Sequence, residues 1–252
     1  MILEFEQKSV SRFSQPVKNH AFLLRCKPYE NIIQRLVSFN AEISGCNMIF
    51  AQKDSFGNNV IFSNINDYHD NFTLKTSGKV EVLENNKDTF LNPIFCYPSP
   101  LCIWDNEMAD FALKCSNSNI EDTVKKICNF VNNRIKYKTG TTCVSTNSLD
   151  AFTIGCGVCQ DYSHVMISML RSLKIPARYV AGYVKGLTVS HAWTEVYYDG
   201  FWHGFDATEN SSQLDGYIKI AIGRDASDCP LNRGIFVGNV TETVEIEIKV
   251  KE

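Results

Sequence analysis

The sequence predicts an α+β protein in which an N-terminal antiparallel β-domain precedes a core that packs a cysteine-bearing helix on an antiparallel sheet. Three observations lead to this class. Apolar and polar residues alternate from Ile2 to about Val82, the period of β-strands. Three prolines between residues 88 and 103 indicate a connection. Helical spacing then begins at residue 106 and is followed by a strand hairpin.

Composition limits the possible functions. The 252 residues carry a net charge of −3, with 44% apolar and 21% charged residues, which is ordinary globular usage. The charge gives no electrostatic reason to expect a nucleic acid or an anionic membrane as partner. The start, MILEFEQK, has no basic region followed by an apolar segment, so we expect a cytoplasmic protein. In that compartment the ten scattered cysteines are expected to stay reduced.

The first hundred residues read as a scaffold. Short strands of about four to eight residues are predicted between turn residues, and Asp54–Asn59 is a turn signal because Gly and Asn accept positive φ. His20 and His69 are interpreted as surface or turn residues rather than ligands. We place the domain boundary in the proline-rich segment, which gives a β-domain over 1–100 and a catalytic domain over 101–252.

Two helices are predicted at the start of the second domain. The first covers Asn106–Cys115, and the second follows a capping box at Ser118–Glu121. The second helix places apolar residues at steps of three and four, so its Cys128 is expected in the core. Cys143 follows in a polar loop that we do not place in regular structure.

The segment Gly155–Leu173 begins with a glycine-cysteine turn and continues as a helix. One of its two cysteines, Cys156 or Cys159, therefore lies at the first helical turn. Unpaired backbone N–H groups and the positive end of the helix dipole favour a thiolate at that position. We expect any chemistry of this chain to begin here.

Two strands downstream supply a base and a carboxylate. Residues 190–198 and 201–206 flank Asp199-Gly200, a two-residue hairpin signal. Alternation places His191, Trp193 and Glu195 on one face, and the returning strand brings Asp206 near His191. A carboxylate beside a histidine holds the imidazole in one tautomer.

Four segments then resemble the transglutaminase-like superfamily, and in particular its bacterial branch described as cysteine proteases. These segments are 157–162 (GVCQDY), 175–183 (IPARYVAGY), 191–196 (HAWTEV) and 206–208 (DAT). The resemblance extends over nearly the whole chain, including the 54–58 turn and residues 223–234. One departure is Ala207, where the family usually has proline.

The resemblance implies a papain-like core with Cys159 as nucleophile, His191 as general base and Asp206 as the residue that orients His191. The reaction would be acyl transfer from an amide through a thioester. We expect the Cys159 N–H to stabilise the oxyanion. The expected partner is a peptide or protein substrate, with no cofactor, metal, nucleic acid or membrane.

Several of these features have other interpretations. Cys156 and Cys159 could form a redox or zinc pair, but no βαβ start or second ligand pair supports this. His164 is interpreted as a helix-face residue, and His203 as facing away from Asp206. The other polar residues near the site are interpreted as structural: Asp161 complements the helix dipole, and Glu195 ties loops together. Cys156 is also interpreted as structural. Trp193 and Trp202 are interpreted as packing residues.

Three functions remain open at this point. Hydrolysis of a peptide or amide bond is the default. Transfer to an amine, as in a transglutaminase, would use the same three residues. A non-catalytic binding module that retains the fold is the alternative from another class.

Overall fold

The computed structural model describes residues 1–46, 48–83 and 86–252. Within these ranges the chain forms strands and helices in the order β1 (Ile2–Leu24), β2 (Gln34–Ile43), β3 (Phe50–Lys53), β4 (Asn59–Ile65), β5 (His69–Val82), α1 (Asn106–Cys115), α2 (Ile120–Arg134), β6 (Lys136–Tyr137), α3 (Ser148–Ile154), β7 (Cys156–Gly157), α4 (Cys159–Ser172), β8 (Ala177–Val184), β9 (His191–Tyr198), β10 (Phe201–Phe205), β11 (Tyr217–Gly223), β12 (Asn232–Val237) and β13 (Glu242–Lys251).

The first sheet is organised around β1. Its order is β2-β5-β1-β4-β3, and β12 and β13 also pair with β1. The N-terminal half of β1 lies between β5 and β13, and its C-terminal half between β4 and β12. Every strand pair in this sheet is antiparallel, so the predicted antiparallel β-domain is confirmed.

The predicted short strands are wrong for β1 and β5. β1 runs for 23 residues and passes Pro16 at a register irregularity between Arg12 and Val17, where the missing N–H of proline is tolerated. β5 is one strand of 14 residues that contains Gly78. Gly78 marks a close approach and not a turn, because a Cβ there would lie 2.4 Å from the Ser38 carbonyl oxygen.

The last two strands return to the first sheet. β13 pairs with β1 from Glu4↔Lys251 to Phe13↔Glu242, and β12 pairs with it from Lys18 to Leu24. The boundary near residue 100 stays a prediction. Residues 232–251, however, were assigned to the second domain, and they lie in the sheet of the first. Apolar and polar residues alternate in β13, which is typical of a strand but carries no information on its partner.

The second sheet has the antiparallel order β10-β9-β8-β11 and carries α4 on one face. Helices α1, α2 and α3 pack around α4, so residues 161–171 of α4 are buried on all sides. The core between helices and sheet contains Val165, Met169 and Ala192. This layer of helices on a sheet confirms the predicted α+β class.

Two local details differ from the prediction, and a third agrees with it. Asn119, and not Ser118, caps α2, since its side chain accepts a hydrogen bond from the Asp122 N–H at 3.2 Å. Asp199-Gly200 forms the predicted two-residue turn, with φ of 51° and 84°. Helix α3 was not predicted.

No helix in the described ranges combines the length and apolar character needed to cross a bilayer.

Candidate active site

Cys159 is the first residue of α4. Helix α3 ends at Gly155 in the left-handed conformation, with φ of 67°, and the two-residue strand β7 then pairs in parallel with β6. Val158 is extended and forms the N-cap of α4. The thiol of Cys159 is half-exposed at the open end of the helix, where backbone N–H groups have no intrahelical acceptor.

Asp161 fixes this helix start. One of its oxygens, Oδ2, accepts hydrogen bonds from the Val158 N–H at 2.8 Å and from the Thr142 hydroxyl at 2.7 Å. The predicted role at the helix dipole is therefore extended, because the buried carboxylate also ties the 138–147 loop to α4. Burial raises the pKa of Asp161. Gly157 allows the contact, since a Cβ there would lie 2.5 Å from Asp161 Oδ2.

His191 and Asp206 meet as the hairpin predicted. His191 Nε2 lies 2.6 Å from Asp206 Oδ2, and both side chains are buried. His191 is the first residue of β9 and Asp206 follows the last residue of β10, so the tight turn at 199–200 brings them to the same end of the sheet.

The two side chains stabilise each other's charged forms. Burial disfavours the imidazolium of His191, but hydrogen bonds with Asp206 and Cys159 outweigh it and raise the pKa of His191 to about 10. Burial opposes the charge on Asp206 as well, yet the hydrogen bond and charge of His191 keep the pKa of Asp206 below its usual value. Imidazolium and carboxylate are thus the forms present near neutral pH.

Helix α2 supports the turn that carries Asp206. The Asn132 amide donates to the carbonyl oxygens of Ala207 at 3.0 Å and Thr208 at 2.9 Å. The Cys128 thiol donates to the Asp206 carbonyl oxygen at 3.7 Å. Cys128 lies in the core as predicted. Ala207 is buried, and the turn forms without the proline usual in the family.

Cys159 also acts on the imidazole, since its interaction with His191 is one of the causes that raise the pKa of His191. Because Nε2 is engaged by Asp206, Nδ1 is the ring nitrogen left for the sulfur. A thiol at a helix start, an imidazolium beside it and a buried carboxylate behind the ring can supply a nucleophile and a proton donor to one substrate.

The other cysteines named in the sequence lie outside this arrangement. Cys156 is half-buried in β7, opposite Lys136. Cys143 is exposed, and hydrogen bonds with Ser145 and Thr146 lower its pKa to about 7. Cys156 and Cys159 are both free thiols, and no group of three His, Cys, Asp or Glu side chains in the described ranges is arranged to hold a metal ion.

The remaining histidines are structural in their contacts. His164 is buried in α4, where its Nε2 accepts from the Ala226 N–H at 3.1 Å, and burial lowers its pKa to about 4. His203 stacks on Tyr198 with ring centroids 3.7 Å apart. The surface interpretation of His20 is wrong: its ring is buried, with Nδ1 3.2 Å from Nε2 of the half-buried His69.

Glu195 connects strands and not the loops that were predicted. It is buried, and it forms ion pairs with Arg178 on β8 at 2.6 Å and Lys219 on β11 at 2.5 Å. Trp193 and Trp202 are buried packing residues, as interpreted.

The sequence does not predict a role at the site for three residues that lie near it. Tyr217 donates a hydrogen bond from its hydroxyl to Asp206 Oδ2 at 2.8 Å. Tyr137 pairs with Gly157 across β6 and β7, and burial together with the charge of Cys159 raises its pKa. Asn132 is the third. Single aromatic or amide residues at strand starts and on helix faces carry no sequence signal of such a role.

Two family models match the chain. Residues 109–207 match the model of the transglutaminase-like superfamily, and residues 3–81 match the bacterial transglutaminase-like N-terminal region. The two matches cover the helical core with its hairpin and most of the first sheet.

Individual relatives agree with these models. An uncharacterized protein of Mycobacterium leprae is 35% identical over 127 residues, which cover 46% of this chain and 45% of that protein. An uncharacterized protein of Mycobacterium tuberculosis is 32% identical over 130 residues, which cover 45% of this chain and 41% of that protein. The match thus spans less than half the length of these relatives.

One solved structure covers the entire chain. It is the crystal structure of "a Putative Cysteine Protease from Cytophaga hutchinsonii", with a TM-score of 0.83 and 25% sequence identity. The similarity spans 100% of this chain and 92% of that one. The fold of the whole chain is therefore shared with that protein.

Proposed function

Because the chain belongs to the transglutaminase-like superfamily, we propose that it is a thiol-dependent acyl-transfer enzyme whose default reaction is hydrolysis of a peptide or amide bond. The observation that carries this proposal is the 2.6 Å contact of His191 Nε2 with Asp206 Oδ2, beside a cysteine at a helix start. The name of the Cytophaga hutchinsonii protein supports a protease, and the chain resembles it over its full length.

In the first half-reaction Cys159, as a thiolate whose proton is held by the His191 imidazolium, attacks the amide carbonyl carbon. The carbonyl electron pair moves to oxygen, where the Cys159 N–H can donate a hydrogen bond. The C–N bond then breaks, and the His191 imidazolium gives its proton to the departing amine. A thioester on Cys159 and a neutral imidazole remain.

In the second half-reaction a water molecule attacks the thioester. His191 accepts the water proton, the C–S bond breaks, and the acid leaves with the Cys159 thiolate and the imidazolium restored. If a primary amine attacks in place of water, the product is a new amide, which is transglutamination. Asp206 stabilises the imidazolium in both cases.

Alkylation with iodoacetamide at pH 6 tests the nucleophile. We expect His191→Ala to slow modification of Cys159 by about 10²-fold, the scale of a positioned acid-base group. Peptide mass spectrometry separates Cys159 from Cys143, whose exposed thiol serves as an internal control because its lowered pKa comes from Ser145 and Thr146. If Cys159 is modified equally fast in wild type and in His191→Ala, the enzyme proposal fails.

A peptide-library digest then separates the three functions. Wild-type protein and Cys159→Ala are compared with and without a primary amine. New peptide termini that need Cys159 indicate hydrolysis, and incorporated amine indicates transglutamination. Identical digests for the two proteins would favour the binding module.

The cytoplasmic location stays a prediction.

A further inference from the structure

Tyr217 contacts the His191–Asp206 pair from a fourth element. It is the first residue of β11, eleven positions after Asp206, and it pairs with Val184 of β8. Its hydroxyl donates to Asp206 Oδ2 at 2.8 Å, the same oxygen that lies 2.6 Å from His191 Nε2. Two donors from different strands therefore share one carboxylate oxygen.

The Asp206 carboxylate is fully engaged. Oδ2 accepts from His191 and Tyr217, and Oδ1 accepts from the backbone N–H groups of Thr208 at 2.8 Å and Glu209 at 3.3 Å. A carboxylate has about four lone-pair sites. The two backbone bonds hold Oδ1 in the turn, and the Tyr217 hydroxyl is the second side-chain donor to Oδ2.

The ring of Tyr217 is held in place by its neighbours. It lies edge-to-face against Trp193 with centroids 5.2 Å apart, and against His191 with centroids 6.2 Å apart. Trp193 in turn packs on Gly182, which pairs with His191 across β8 and β9. The half-buried phenol thus has little rotational freedom, and its hydroxyl direction is set by packing.

We propose that Tyr217 is a positioning residue that acts through Asp206 on His191. The catalytic consequence of this inference rests on the proposed function, whereas the effect of Tyr217 on the ionisation of His191 does not. The hydroxyl fixes the carboxylate plane, and it withdraws part of the negative charge that Oδ2 would otherwise present to the imidazolium.

The electrostatics of the pair agree with this role. After burial and the interaction with His191, the hydrogen bond from Tyr217 is a further cause that lowers the pKa of Asp206. The other titratable groups around the pair are Cys159 on α4, Cys128 on α2 and Glu209 in the turn after Asp206, whose charge acts on Tyr217.

Tyr217→Phe separates the hydroxyl from the ring. The phenylalanine keeps the packing against Trp193 and His191 and removes only the donor. Without it, Oδ2 presents more charge to the imidazolium. We therefore expect the titration midpoint of His191, followed by NMR of its ring nitrogens in the full chain, to rise by about one pH unit, which is tenfold in the ionisation constant.

Tyr197→Phe is the matched control. Tyr197 lies on the same sheet and donates its hydroxyl to the Thr89 carbonyl oxygen at 3.1 Å, away from Asp206. Its loss should leave the His191 midpoint unchanged. Thermal unfolding of both variants checks that the fold is retained.

The outcomes are distinguishable from those of the proposed function. An unchanged or lowered His191 midpoint in Tyr217→Phe overturns the positioning role, whatever the activity. A raised midpoint combined with Cys159 alkylation that does not depend on His191 leaves the positioning role standing and removes the enzyme proposal.

Discussion

Asp206 and His191 gain opposite charges from the same contact, and this determines how the site responds to pH. The folded chain holds the His191 proton up to a pKa of about 10, whereas the ordinary value is 6.5. The stabilisation is complete below the unfolded value and is lost as pH rises through the folded value. Asp206, with its lowered pKa, loses its contribution only in acid.

A pair of variants tests the direction in which the contribution of His191 to stability changes with pH. The difference in free energy of unfolding between wild type and His191→Gln should shrink as pH rises from 6.5 to about 10, because the unfolded chain releases its His191 proton in this range while the folded chain still holds it. Urea unfolding at pH 6.5 and 9.5 measures it. For His203→Gln the difference should stay flat over that range, since burial lowers the His203 pKa below its ordinary value. A difference that grows for His191→Gln contradicts the assignment.

Helix α4 depends on one side chain at its start. Asp161 holds the Val158 N–H and the Thr142 hydroxyl on the same oxygen. The position of Cys159 therefore depends both on the helix cap and on the 138–147 loop. A helix dipole alone would favour any acid in the first turn, but only a residue that points back over Gly157 can make both bonds.

Asp161→Ala tests whether this side chain holds the start of α4. We expect a loss of about 1–2 kcal/mol in the free energy of unfolding, as for other N-terminal capping side chains, together with slower alkylation of Cys159. The control is Asp150→Ala in the first turn of α3, where the carboxylate is exposed and its amide partner is the neighbouring Asn147. That change should cost less than about 0.5 kcal/mol. Equal losses in the two variants would argue against a special role of Asp161.

The C-terminal strand β13 pairs with the N-terminal strand β1. β13 covers ten positions of β1, and Ile248 and Val250 pack in the same apolar cluster as Leu3 and Phe5. The first and last strands of the chain are therefore neighbours. The two sheets also share this cluster, since Tyr183, Ile218 and Ile220 of the second sheet belong to it. Cooperative folding of the chain is expected from this arrangement.

Deletion of residues 232–252 tests the closure. Without β12 and β13, β1 loses one pairing edge and the cluster loses two buried residues. We therefore expect the shortened chain to lack the sharp urea transition that we expect of the full chain. Deletion of residues 251–252 alone, which retains Ile248 and Val250, is the control and should keep the transition. A sharp transition in the longer deletion would show that the N-terminal strands close without the C-terminal ones.

Much of the candidate site was accessible from local sequence. Gly155 to Leu173 contains both the left-handed glycine and the helix that carries Cys159, and each is a property of a few neighbouring residues. The turn at Asp199-Gly200 then brings His191 and Asp206 together, because a two-residue hairpin leaves almost no choice of register. The family resemblance added the choice of Cys159 over Cys156.

Contacts between distant segments were not accessible. Tyr217 meets Asp206, Asn132 holds the turn at 207–208, and β13 pairs with β1, yet none of these partners is marked by spacing or composition. The same holds for His20, whose burial depends on strands far away in the chain. By itself the sequence determined the fold class, the helix start and the hairpin, because short-range backbone preferences and periodicity encode them. The tertiary structure alone decided which side chains surround the Asp206 carboxylate and which strands cover β1, because those choices depend on the packing of segments that are far apart in the chain.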